Sequence, residues 1–394
     1  MKIFYICESS IEHDVGGGGE GTRKAYRSLK AYCQQNGVEL GVISLNDRLP
    51  ESLPFDPVKT RTLDALARLC GHSNYLWFFW LRHKEEILSL KPDIVVLGRS
   101  RYGFMAKDIK ADLSDCKVVT LFENVEIDYA PSYFTNISGL PKALSVALER
   151  IAVKKDERDC VRHSDAYVLL SERDKIRIRE IYCCRGGNCA IIPVCLENAT
   201  QLSGKPLLPV DLGKPSTSRK VVFTGRLCYA PNIESVEWLL ANIIPKFRGR
   251  EDVKFIIAGS RPSEHLKKKI REHKNAALVE NFLKSYDIIP RCSLAVCPSF
   301  SGAGMKVKVA DALSMGLVTV ASDEALAGYE EAYGLRGLIR ANTVDEYITA
   351  INDYMAMNEH ELSEIEAENK AAFERYYSYE RAEKSYARLL EKLV

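Results

Sequence analysis

Short β-rich apolar runs alternate with amphipathic stretches from one end of this chain to the other, and that rhythm restricts the fold more than any other feature. The runs 2–7, 38–45, 93–98, 117–123, 165–170 and 189–194 are nearly continuous in apolar character. Such runs suit strands covered on both faces, as in a parallel sheet between layers of helix. Between them, residues 21–35, 140–162 and 171–182 repeat at helical spacing. Residues 197–219 (ENATQLSGKPLLPVDLGKPSTSR) break the pattern with three prolines, scattered Ser, Thr and Gly, and no period, which reads as a linker. The alternation then resumes, with strands expected at 220–224, 253–258, 276–282, 294–298 and 318–322 and helices at 233–247, 263–273 and 306–315. Two α/β domains are therefore expected, 1–196 and 220–378. A strongly amphipathic segment, 379–394, is left over after the second sheet and is expected to complete the first domain.

Length agrees, since 394 residues is more than twice the ~150 of a common domain. Hydrophobic residues at 46% and charged residues at 27% exclude disordered, collagen-like and disulfide-stapled chains. Fifty-five Lys and Arg against 53 Asp and Glu leave a net +2, too little to indicate a nucleic-acid partner. Twelve scattered cysteines read as reduced thiols, and the densest group, Cys183, Cys184, Cys189 and Cys195, lacks the paired C-x-x-C spacing of a zinc site. No metal is expected. The N-terminal apolar run is too short for a signal sequence, and no run approaches the ~20 apolar residues of a membrane span. The expectation is a cytoplasmic protein, at most attached to the inner face of a membrane.

Open α/β sheets bind ligands outside the carboxyl ends of their strands, so the loops there carry the argument. After the first strand comes Gly16-Gly17-Gly18-Gly19-Glu20-Gly21, leading into a helix. Glycines let backbone approach a ligand closely, and a helix start offers free N–H groups to an anion. A plain turn is the alternative, and Glu20 competes for the same dipole. After the first strand of the second half, Gly225-Arg226 places a guanidinium where a phosphate would lie. Asn232 is expected to cap the next helix. The richest loop is Ser299-Phe300-Ser301-Gly302-Ala303-Gly304-Met305-Lys306-Val307-Lys308, with Asp311 one turn on. Lysines at a helix start are disfavoured unless a bound anion offsets them. Lys308 and Asp311, three apart, share a face while Lys306 points elsewhere. A solvated helix face with a Lys308–Asp311 pair is the plain alternative.

These loops, in order, resemble the glycosyltransferase group 1 family: VVFTGRLCYAPNIESVEWLL, FIIAGSRP, ALVENFLKSYDII and LAVCPSFSGAGMKVKVADALSMGLVTVAS, covering roughly 220–328. TLFENVEIDY at 120–129 and DAYVLLSERD at 165–174 add weaker likeness in the first half. The resemblance implies the GT-B fold, two Rossmann-like domains facing across a cleft. It also implies a retaining transferase that uses a nucleotide-diphosphate sugar as substrate, with no cofactor and no metal, and a saccharide or lipid-linked acceptor, as in capsule and polysaccharide synthesis. Arg226 falls on the arginine that contacts the donor diphosphate. The lysine five positions later is replaced by Pro231, leaving Lys306 or Lys308 to supply its charge. The paired glutamates, with seven residues between them, fall on Ala303 and Asp311, the latter placed to take ribose hydroxyls. Glu123-Asn124-Val125-Glu126 stands where related chains carry His-Asn-x-Glu, so Glu123 occupies the place of a histidine beside the donor sugar. Backbone around Glu280 and Phe282 is expected at the base. The acceptor belongs with Gly16–Gly19, Glu123 and Asn124.

A transferase of this kind lowers its barrier by stabilising charge on the departing diphosphate, the work expected of Arg226, Lys306, Lys308 and the amides of Gly302, Ala303, Gly304 and Met305. A catalytically silent sugar-nucleotide binder and a nucleotide-sugar epimerase on the same fold are the alternatives, and a phosphorylase lacks a recognisable pyridoxal lysine. The run 75–81 (YLWFFWL) followed by Arg82-His83-Lys84 raises peripheral membrane contact, against the commoner explanation of a buried helix.

Overall fold

A computed structural model describes the chain except residues 14–16, 46, 57–61, 131–138, 184–187, 199–218, 281–292 and 303. Most of the expected linker thus lies outside the described residues. The chain forms two compact units, Met1–Cys195 with Tyr379–Val394, and Leu196–Ser378.

The first unit holds β1 (Lys2–Ile6), β2 (Glu39–Ile43), β3 (Ile94–Leu97), β4 (Lys117–Phe122), β5 (Ala166–Leu169) and β6 (Asn188–Ile191). They form one sheet in the order β2-β1-β3-β4-β5-β6, every pair parallel. Its helices are α1 (Gly17–Asn36), α2 (Thr62–Leu69), α3 (Leu76–Ser89), α4 (Gly103–Asp112), α5 (Glu126–Tyr129), α6 (Gly139–His163) and α7 (Glu172–Tyr182). Side chains alternate across a strand. Ile3 and Tyr5 accordingly pack with Ala25 and Leu29 of α1 and with Tyr379, Ala382 and Tyr386 of the last helix. Phe4 and Ile6 pack on the other face with Phe79, Trp80, Met105 and Ile109 of α3 and α4. Burial on both faces explains the unbroken apolar runs. It also settles the aromatic run at 75–81: Leu76, Phe79 and Trp80 are core residues, and the Trp80 Nε1–H donates to Asp108 Oδ2 at 2.9 Å. The buried-helix reading of this run therefore holds for Leu76, Phe79 and Trp80, while Trp77 and Phe78 are partly buried and Leu81 is exposed.

Helix α6 buries acids as well as apolar side chains such as Val153 and Cys160. Glu149, Asp156 and Glu157 are fully buried, and each is satisfied. Glu149 pairs with Arg68 and Arg101. Asp156 Oδ2 accepts from Ser73 N at 2.7 Å and Ser73 Oγ at 2.8 Å. Glu157 accepts from Ser100 Oγ, from the amides of Glu126 and Ile127, and from Tyr182 Oη.

The second unit holds β7 (Arg219–Thr224), β8 (Val253–Gly259), β9 (Ala276–Glu280), β10 (Leu294–Cys297), β11 (Val318–Ala321) and β12 (Leu338–Arg340), in the parallel order β12-β11-β10-β7-β8-β9. Its helices are α8 (Ala230–Trp238), α9 (Glu264–Arg271), α10 (Val307–Ser314), α11 (Asp323–Leu326), α12 (Val344–Ala356) and α13 (Glu359–Tyr376). The single helix expected at 233–247 is three segments: α8 passes into a π turn, Leu239–Ile243, and a 3-10 turn, Ile244–Phe247. Pro245, lacking an N–H, falls in the last of these. The chain then returns to the first unit as α14 (Tyr379–Glu391), packed on α1. Among the described residues no helix is long and apolar enough to cross a membrane.

Candidate functional site

Each sheet has one place where the strand order reverses. In the second unit the chain leaves β7 toward β8 and β9, and leaves β10 the other way toward β11 and β12. The crevice outside the carboxyl ends of β7 and β10 is therefore the natural ligand position, and the candidate residues Gly225, Arg226 and 302–311 follow those two strands.

The turn after β7 is clamped by backbone bonds from Gly225 N to Ala258 O at 3.0 Å and from Leu227 N to Ser260 O at 2.8 Å. Arg226, between them, is exposed. Tyr229, not Asn232, occupies the cap position of α8, with Pro231 in the first turn. Asn232 instead turns its side chain back. Its Nδ2 donates to the Arg226 carbonyl at 3.1 Å, and its Oδ1 accepts from Lys308 Nζ at 2.8 Å. A Cβ on Gly225 would stand 2.8 Å from that Nδ2, so the glycine is required by the amide beside it.

After β10 the chain adopts positive φ at Gly302 (+99°) and Gly304 (+66°), conformations that favour glycine. Lys306 caps α10, and its ammonium donates to Gly304 O at 3.1 Å, Gly302 O at 3.3 Å and Glu324 Oε1 at 2.9 Å. Its carbonyl accepts from Tyr329 Oη at 2.8 Å. Lys306 thus pins the loop it belongs to. Met305 is buried in the space left by Gly328, where a Cβ would overlap its side chain. Lys308 points elsewhere: its Nζ lies 4.0 Å from the Phe223 ring centroid, and it lines a small cavity with Asp311, Thr224 and Cys297. Burial pulls the ammonium down to about 8, and the Cys297 thiol, also buried, is pushed up to about 11. The expected shared face of Lys308 and Asp311 is what the cavity shows.

Glu280 ends β9 and its carboxylate is held by Lys267 at 3.0 Å, two strands from β7 and away from the Arg226 loop. Ala303 and Phe282 lie outside the described residues. Three serines, Ser299, Ser301 and Ser322, were given no role from sequence. Ser322 Oγ accepts from Ser299 N at 3.1 Å, and Ser301 Oγ donates to Glu234 Oε2 at 2.6 Å, so together they fix the β10 loop to its neighbours.

In the first unit the reversal falls between β1 and β3. Gly17, Gly18 and Gly19 form the first turn of α1 itself, so the expected loop is already helix there; Gly16 lies outside the described residues. Glu123 follows β4 and lays its carboxyl against this turn. A Cβ on Gly21 would overlap Glu123 Oε1, and one on Gly18 would stand 3.1 Å from Arg99 Nη2. Arg99, after β3, ties the cluster together, with Nη1 at 3.1 Å from Glu123 Oε2, Nε at 3.0 Å from Glu8 Oε1, and Nη2 donating to Ser9 Oγ at 3.1 Å. Burial raises the Glu123 carboxyl, with Arg99 opposing. Glu20 is taken by Arg23 and by Tyr379 Oη at 2.9 Å. Two of the protein's own carboxyls, Glu123 and Glu20, thus lie against the first turns of α1, and Asn124 is half-buried. Glu8 and Arg99 were not singled out from sequence, because single charged residues at strand ends carry no periodic signal. Among the described residues one group has metal-compatible spacing, Glu12, His13 and Asp47, whose ligand atoms lie within 4.8 Å of one another. Its one buried carboxylate, Asp47, already accepts from Ser10 Oγ, Ile11 N and Ser44 Oγ.

Residues 218–357 match the family described as Glycosyl transferases group 1. No curated protein sequence matches the chain. Solved structures of similar fold include sucrose-phosphate synthase from Thermosynechococcus elongatus (TM-score 0.69, 13% identity, covering 100% of this chain and 98% of that one). Trehalose-6-phosphate synthase, OtsA, is similar over 100% of both chains (TM-score 0.67, 13% identity). So is the lipopolysaccharide outer core galactosyltransferase WaaB (TM-score 0.64, 13% identity, 100% of both chains). The architecture is GT-B.

Proposed function

We propose that this chain, which carries a group 1 glycosyltransferase domain on a GT-B frame, moves a sugar from a nucleoside-diphosphate donor to a saccharide or lipid-linked acceptor with retention of configuration. The observation that carries the reading is the convergence of the Arg226 turn and Lys308 through Asn232 at the strand-order reversal of the second sheet. A diphosphate there meets an exposed guanidinium and a poorly solvated ammonium. Charge that grows on the leaving diphosphate is stabilised by preorganised donors, which is the main source of acceleration for such a transfer. Asp311, lining the cavity with Lys308, is read as the acceptor of ribose hydroxyl protons. Solved relatives of the fold include a trehalose-6-phosphate enzyme bound with UDP-2-fluoro glucose, which supports a nucleotide-sugar donor here.

A second reading keeps donor binding without turnover. It is favoured by Glu123, whose carboxyl fills the space beside Gly18 and Gly21 at the position where a histidine is expected. Titration with UDP-, GDP- and dTDP-sugars, followed by detection of transferred sugar and released diphosphate, separates the two. Binding without release selects the silent binder; binding of none of the three overturns both.

A further inference from the structure

The Asn232 amide has only one orientation that serves both its neighbours. An ammonium only donates and a carbonyl only accepts, so Oδ1 must face Lys308 and Nδ2 must face the Arg226 carbonyl, as the distances of 2.8 and 3.1 Å show. The Arg226 turn cannot drift from this amide, because Gly225 and Leu227 are bonded to Ala258 and Ser260. On the other side, the Lys308 ammonium lies over the Phe223 ring and donates to Asn232, with no ion-pair partner among the described residues. The titratable and charged groups around it are Cys297 from β10, Lys306 at the position before α10, and Asp311 from α10.

We propose that Asn232 is a positioning residue that fixes the Lys308 ammonium to the Arg226 turn, so that two cations from separate strand ends meet one anion, and that it does so with a neutral group that leaves the ammonium's charge available; the identity of that anion as a diphosphate rests on the reading above. A carboxylate at the same position would orient Lys308 equally well but would neutralise it and repel the ligand. The amide orients without neutralising.

The test uses the full chain in two arms. The first needs no ligand: the pH dependence of Lys308 acylation by an amine-directed reagent, read by mass spectrometry. Asn232→Asp is expected to raise the midpoint of that titration by about one unit or more, as an adjacent opposite charge does. The second arm measures UDP and GDP binding by calorimetry. Asn232→Asp is expected to weaken binding at least about tenfold, and Asn232→Ala about three- to tenfold. In a Lys308→Ala background the Asn232→Ala change should have little further effect, because the two act as a unit. Circular dichroism confirms folding, and if the Asp variant does not fold, the Ala cycle stands in its place. An unmoved Lys308 midpoint in a folded Asn232→Asp protein, or an Asn232→Ala penalty of equal size with and without Lys308, overturns the proposal. If neither nucleotide binds the native chain while the Lys308 midpoint moves, the donor reading fails and the coupling of Asn232 to Lys308 stands.

Discussion

The carboxyl of Glu123 lies where a side chain on Gly21 would have to stand. Gly21 is helical, so its lack of a side chain is needed for packing and not for backbone freedom. Gly21→Ala is expected to cost about 1–3 kcal/mol, the usual penalty of overpacking. In a Glu123→Ala background the same change should cost little. Urea unfolding of the four proteins in this cycle measures it, and equal penalties in both backgrounds would refute the overlap.

Arg226 is exposed and its turn is held by backbone bonds, so its side chain is not needed for folding. Arg226→Ala should leave the thermal midpoint near the native value while transfer slows by about 10- to 100-fold, the equivalent of one charge-assisted hydrogen bond. Turnover within a factor of two of native would remove Arg226 from the donor site.

Lys308 titrates at about 8, below its ordinary 10.5, because burial disfavours the ammonium. Below about pH 8 it is charged in folded and unfolded chains alike, and the folded chain bears the desolvation cost. Between about 8 and 10.5 the unfolded chain holds more protons, so this lysine makes stability rise with pH across that window. Relative to native, Lys308→Met should therefore be at its most stable below pH 8 and lose that relative advantage toward pH 10.5. A native-to-variant difference in urea midpoint that stays constant with pH would contradict this.

Glu157 behaves in the opposite sense. Burial raises it to about 7 from 4.5, against the pull of Tyr182, the Glu126 amide and Ser100. Its contribution to stability is whole below about pH 4.5 and is lost as pH rises through 7. Compared with Glu157→Gln, the native chain should become relatively less stable between about pH 4.5 and 7 and then level off. Paired denaturation curves at pH 4, 5.5, 7 and 8 suffice; a flat difference would sink the assignment.

The sheets were legible because burial on both faces leaves a signal in the strands themselves. Runs such as 294–298 and 318–322 contain little else but apolar residues, and they became β10 and β11 within a residue or two. Strand β12 escaped because it has three residues and none is buried. Helices α12 and α13 were missed although each begins with a reciprocal cap, Thr343 with Glu346 and Asn358 with Glu361, a spacing visible in sequence. The site was half legible. Glycines and lysines marked the β10 loop, and the divergence of Lys306 from Lys308 followed from helical spacing. Which of the two would pin the loop did not, because Glu324 reaches Lys306 from 18 residues away. Asn232 was misjudged for a related reason: asparagine is a common cap, but Pro231 shifts the helix start to Tyr229 and frees the amide for a long-range partner. The inward acids of α6 were invisible altogether, since Glu149, Asp156 and Glu157 look like solvent residues until Arg68, Arg101 and Ser73 are found beside them.

Helix α14 brings Tyr379, Ala382 and Tyr386 onto the same face of the first sheet as Ile3 and Tyr5. During synthesis the strands of that sheet leave the ribosome long before their last covering helix, with all of Leu196–Ser378 translated in between. The second unit, contiguous in sequence, has every one of its own parts at hand earlier. The unit begun first is thus the one finished last, and its half-covered apolar face is the surface a nascent-chain chaperone would meet.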